Sequence, residues 1–234
     1  MNHCISRLFL VMLLILFFDF FRFADKYLPF VRQEMIFPKT PVFEFLQKQE
    51  KPFRIEKESS DIIPANMWSY YDLESASGYN PLYPSRYAEF ISLMNTNEVR
   101  FDVSRYALVR NFSSPLFDLL NNKYLLALKR NSDGRASEQG EISYLYKDSK
   151  FKLVYSDKSV AVLENVSSFT RAFLVEDKII QKDKKKIAEL ILSKEIDLRK
   201  TVVLEEEMKE WVGESRKQNT EKTLTDLVEF TKYS

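Results

Sequence analysis

The most apolar stretch of the chain lies at its start. From Leu8 to Phe18 the run LFLVMLLILFF carries no polar residue, and Asp19 interrupts it before Phe20, Phe21, Arg22 and Phe23. Counted from Ile5 to Phe23 the segment holds 19 residues, about the length at which a helix spans ~30 Å of hydrocarbon. The pattern predicts a transmembrane helix over 5–23, with Arg22 snorkelling and Asp19 reaching headgroup water near one end. A cleaved signal peptide and a buried soluble helix are the competing readings, although no small-x-small cleavage site follows the apolar core.

Pro29, Pro38 and Pro41 then punctuate an extended connector expected over 24–40, because proline forbids a continuing helix. Thr40 and Pro41 have the cap-plus-proline form that opens a helix, PVFEFLQKQE. A short strand is expected at Phe53–Ile55. Ser85 is placed to cap the helix RYAEFISLMN, whose apolar face holds Tyr87, Phe90, Ile91 and Met94. Ser114-Pro115 repeats the capping signature before PLFDLLNN, and Tyr124–Leu128 reads as a buried strand. Residues 129–143 are polar, hold two of the four glycines and read as a mobile loop. Phe151–Tyr155 and Val160–Glu164 form a hairpin about Ser156–Ser159. A strand at Arg171–Ile180, a helix at Asp183–Lys194 and strands at Thr201–Leu204 and Leu224–Phe230 complete the pattern. The fold class is α+β. A mixed α/β domain is expected over 41–180, and 181–234 opens a second, β-rich region that the chain end cuts short inside a strand.

Composition narrows the chemistry. Hydrophobic residues make up 45% of the 234, enough for a real core, and the net charge of +1 argues against a nucleic-acid partner. Cys4 is the single cysteine, so no intrachain disulfide can form. His3 is the single histidine, which excludes a His-based metal site and a Ser-His-Asp triad. Phosphate-binding glycine loops and metal-spaced ligands are absent from the sequence, so no catalytic residue, metal or cofactor is assigned. The run Lys182–Lys186 belongs to a stretch in which opposite charges balance, and it reads as a solvated helix face. Asn111-Phe-Ser and Asn165-Val-Ser match the short glycosylation sequon.

Residues 64–87, PANMWSYYDLESASGYNPLYPSRY, are the unusual segment, with six aromatics and a turn at Gly78 and Pro81. Flat Trp and Tyr faces stack on pyranose rings while nearby polar groups hold hydroxyls. The alternative is that these rings fill the core. The ligand-contact candidates are Trp68, Tyr71, Tyr79, Asn80, Tyr83 and Arg86, the last offering a guanidinium fork to phosphate. Asp72 and Glu74 are the nearest approach to a carboxylate pair for acid–base work.

The order and spacing of several pieces carry a resemblance. They are the helix ending in FFDF, TPVFEFLQKQEKPFRI, SGYNPLYPSRY, LLNNKYLL, VLENVSSFTRAFLV and EIDLRKTVVLEEE. In this order they resemble the C-terminal part of YfhO-like bacterial membrane proteins, polytopic relatives of the GT-C glycosyltransferases that use polyprenyl-phosphate sugars. The resemblance covers the chain from about Leu8 to Ser234. It implies that the apolar helix is one of many spans and that the chain is a fragment of a longer protein. It also places the following domain outside the cytoplasm, although lysines and arginines beside the helix would put it inside. The implied function is an accessory domain in the glycosylation of cell-envelope polymers. The implied partners are the bilayer and a glycan or polyprenyl-phosphate sugar. The family's catalytic acid is expected in an early loop absent from this sequence, so none is carried over. The rival reading is a single-span adaptor that binds another envelope protein.

Overall fold

The computed structural model describes residues 2–28, 31–101, 104–143, 146 and 150–207. The chain divides at Thr40–Pro41 into two units. The first holds helix α1 (Asn2–Tyr27) and one further turn of helix, α2 (Gln33–Ile36). Helix therefore runs past the expected boundary at Phe23, because no proline precedes Pro29, and it returns briefly in the proline-free stretch of the connector. Along α1 the apolar side chains stay exposed on every side, from Ile5 and Leu8 to Phe18 and Phe23.

The expected span is not supported. Among the described residues no helix is long and apolar enough to cross a membrane. The charge-free core of 11 residues, Leu8–Phe18, rises only about 16 Å, roughly half of the ~30 Å of a bilayer core. Extending it from Ile5 to Arg22 takes in Arg7, Asp19 and Arg22.

The second unit is built on a four-stranded sheet in the order β1 (Arg54–Lys57), β4 (Asn122–Leu128), β6 (Val160–Asn165) and β5 (Phe151–Ser156). β1 runs parallel to β4, and the other pairings are antiparallel. Successive side chains of a strand point to opposite faces, and here both faces are covered. Tyr124, Leu126, Leu128, Val160 and Val162 pack against Val42, Phe43 and Leu46 of α3 (Pro41–Gln47). Leu125, Ala127 and Leu163 pack against α4 (Ser85–Thr96), α5 (Pro115–Leu119) and Phe151. Burial on both faces explains why β4 is a continuous apolar run rather than an alternating one.

The helix ends follow local chemistry. Ser114 caps α5 by accepting from Leu116 N at 3.3 Å, with proline at the first helical position. Pro84, not Ser85, stands at the cap position of α4 and makes no side-chain cap bond, so the expected Ser85 cap is displaced by one residue into the helix. Thr40 Oγ1 likewise finds no hydrogen-bond partner before α3. Asn97, at φ +60°, closes α4 in the left-handed conformation that asparagine tolerates.

Three further expectations change. Residues 129–143 are tied down by backbone pairs, Arg130 N to Glu141 O at 2.9 Å and Glu141 N to Arg130 O at 3.0 Å. Gly140 lies so close to Arg130 that a Cβ there would meet its backbone at 2.6 Å, so this glycine serves close packing rather than mobility. The strand expected from Arg171 shrinks to β7 (Asp177–Ile180). It pairs in parallel with β8 (Thr201–Leu204) through the connecting helix α6 (Lys184–Leu192). The expected boundary at 180/181 therefore falls inside a β-α-β unit. Leu224–Phe230 and the chain end lie outside the described residues.

Candidate functional site

The six candidate residues do not form one site. Trp68 and Tyr71 sit on a 3₁₀ turn (Met67–Tyr71) and belong to the core. Tyr71 stacks on Phe43 with ring centroids 4.0 Å apart, and burial raises its hydroxyl pKa. Lys57 Nζ lies 5.0 Å from the Trp68 ring centre. Neither ring offers a free face. Arg86 stands elsewhere, in a two-pronged pair with Glu205 at 2.9 and 2.6 Å.

Tyr79 and Tyr83 fall together with two residues that were not singled out, Tyr106 and Arg110. The backbone explains how. Asn66, at φ +66°, donates from Nδ2 to Tyr79 O at 2.7 Å and accepts from Tyr79 N at 2.9 Å. This clamp fixes the two-residue strand β2 (Gly78–Tyr79) against β3 (Tyr106–Ala107), with Tyr79 opposite Tyr106. Asn80 extends the pairing, its N–H donating to Arg105 O at 3.0 Å, and its side chain closes the following turn on Leu82 N at 2.9 Å. The Tyr79 and Tyr106 rings meet edge to face at 4.9 Å, with 39% and 49% of the two residues exposed.

Tyr106, Leu108 and Arg110 form a ledge with a cavity on each side. One, of about 420 Å³, is also lined by Tyr83, Asn95 and Ser104. The other, of about 470 Å³, is also lined by Glu56, Glu58 and Ser77. Both volumes lie in the range of small-molecule sites. No family model, characterised protein or solved structure matches the chain. The chemistry of the ledge therefore has to be read from its own groups.

Glu56 is the most unusual of them. Its carboxylate is buried to 1% exposure and accepts from Ser75 Oγ at 2.8 Å, Ser77 N at 2.7 Å and Ser77 Oγ at 2.8 Å. Ser77 Oγ in turn accepts from Val109 N at 2.9 Å. One buried carboxyl thus ties the approach to β2 and the ledge to β1. Burial pushes the Glu56 pKa above its ordinary value, and the bonds from Ser75 and Ser77 oppose that rise. Nearby, Tyr87 donates to Ala76 O, and burial pushes its hydroxyl up to about 12.

The neighbouring acids are answered. Glu58 pairs with Arg130 at 3.5 Å. Asp72 pairs with Lys51, and Glu74 pairs with Arg171 at 2.6 Å, so each acid holds a cation of its own. Among the described residues no group of acids, cysteines and histidines could hold a metal. Behind the sheet, Lys150 is held by Asp118 at 2.8 Å and Phe112 O at 2.8 Å. Asn165, the second sequon asparagine, is buried and spends its amide on Asp118 at 2.7 Å and Asn122 O at 3.0 Å. In the folded chain that amide is closed to a glycosylating enzyme.

Proposed function

We propose that this chain is a membrane-attached, extracytoplasmic accessory domain of a YfhO-like glycosylation system, and that its tyrosine ledge holds a saccharide of the cell envelope. The observation that carries the saccharide reading is the exposed Tyr106, which lines two cavities and meets the Tyr79 ring edge to face. Exposed tyrosine rings offer apolar faces to pyranose C–H groups, and their hydroxyls take part in the sugar's hydrogen bonds. The hydroxyls of Tyr83 and Tyr106 have no hydrogen-bond partner among the described residues, which leaves them free for a ligand.

Membrane attachment rests on α1. Monomeric soluble proteins rarely expose contiguous apolar patches beyond a few hundred Å², and α1 presents apolar side chains all round. The proposed arrangement sets α1 among other apolar helices, with Arg7, Asp19 and Arg22 facing protein or headgroups rather than acyl chains.

Two measurements test the proposal. The full chain is expected to stay in the membrane pellet after alkaline carbonate extraction, and release into the supernatant would contradict attachment. The purified full chain is expected to bind oligosaccharides in a calorimetric screen. Recovery of a stoichiometric envelope protein with no saccharide binding would replace this reading with the adaptor one.

A further inference from the structure

We infer that the ligand of the tyrosine ledge is a saccharide bearing an anionic group, a carboxylate or a phosphate, and that Arg110 pairs with that group. The inference rests on the saccharide reading above. Among the described residues that line the cavity with Tyr83, Ser104 and Tyr106, Arg110 is the single charged one. Among the described residues its guanidinium has no acid or carbonyl partner. The other described charges of the neighbouring cavity are engaged: Glu58 by Arg130, Glu56 by Ser75 and Ser77, and Lys57 by Ile63 O. Among the described residues no acid in either wall is therefore left to neutralise Arg110.

The arginine is also delivered from fixed backbone. Asn95 Oδ1 accepts from Arg110 N at 2.8 Å and Asn111 N at 3.2 Å, and Asn95 Nδ2 donates to Leu108 O at 2.8 Å. One α4 side chain thus pins the ledge on both sides of Val109. A guanidinium fork matches the two oxygens of a carboxylate or phosphate, and such charge-assisted pairs are stronger than neutral hydrogen bonds. A neutral sugar would stack on the tyrosines and leave this cation unused, so the site selects for acidic sugars.

The test is calorimetric titration of the full chain in lipid nanodiscs, using trigalacturonate against maltotriose and glucose 6-phosphate against glucose. The expected result is about tenfold tighter binding of at least one anionic sugar than of its neutral counterpart, the effect of one charge-assisted pair. Which anionic sugar gains names the group. Arg110→Gln removes the advantage, and Arg110→Lys keeps part of it. Equal binding of charged and neutral sugars, or an advantage that survives Arg110→Gln, overturns the inference and leaves the saccharide reading standing. Failure of every sugar to bind overturns both.

Discussion

The aromatics of residues 64–87 divide into two groups that the sequence spaces alike. Trp68 and Tyr71 belong to the core that packs on a sheet whose central strands are buried on both sides. Tyr79, with its partner Tyr106, sits on two-residue strands at the surface, and both rings stay open. The difference comes from the backbone. The first pair is carried on a turn pressed against β1 and α3, whereas the second is held by hydrogen bonds from Asn66 and Asn95 on either side. Aromatic density therefore marks packing in one place and display in another, and what separates them is where the main chain spends its hydrogen bonds.

The comparison can be broken from the core side first. Asp118→Ala should cost most, because it leaves the half-buried Lys150 without its counter-charge and removes an acceptor from the buried Asn165. A loss of about 3–5 kcal/mol is expected in urea unfolding. A loss below ~1 kcal/mol would show that this polar web is not structural. Tyr71→Ala should cost about 3 kcal/mol, as truncation of a buried aromatic does, measured in the same way.

Glu56 links the two regions and gives a pH signature. Its folded pKa is raised, so the folded chain keeps the proton over an interval in which the unfolded chain has released it. The stability this proton provides is complete below the unfolded carboxylate value and is lost as pH rises through the raised folded value. Glu56→Gln should remove that downward slope from the stability–pH curve while keeping the packing. An unchanged slope would show that the carboxyl stays ionised throughout.

Arg86→Ala should have the smallest effect. Its pair with Glu205 is exposed and far in character from the ledge, so saccharide affinity and the unfolding midpoint should both stay at their wild-type values.

Much of the scaffold was legible because local signals agreed with burial. The apolar run 124–128, the Ser114-Pro115 cap and the hairpin about Ser156–Ser159 all appear where the pattern put them. The parallel pairings β1–β4 and β7–β8 were not legible, since nothing local records which distant segment a strand will join. Glu56 lies in the polar run EKESS and reads as solvated, and it becomes buried only when Ser75–Ser77 folds over it.

The ledge was half legible. Tyr79 and Tyr83 stood out by aromatic density, whereas Tyr106 and Arg110 did not. A period-two reading of Tyr106 to Arg110 would have found them, because Ala107 and Val109 are buried and Tyr106 and Arg110 are exposed. Trp68 and Tyr71 drew the same attention as Tyr79 because a ring's identity does not reveal which neighbour covers it.

Tyr106→Ala in the full chain tests the central claim most directly, with urea unfolding and sugar titration read on the same preparation. The account predicts an unfolding midpoint close to wild type and loss of oligosaccharide binding. A collapsed midpoint with sugar affinity intact would contradict it, placing Tyr106 with Tyr71 among the packing residues.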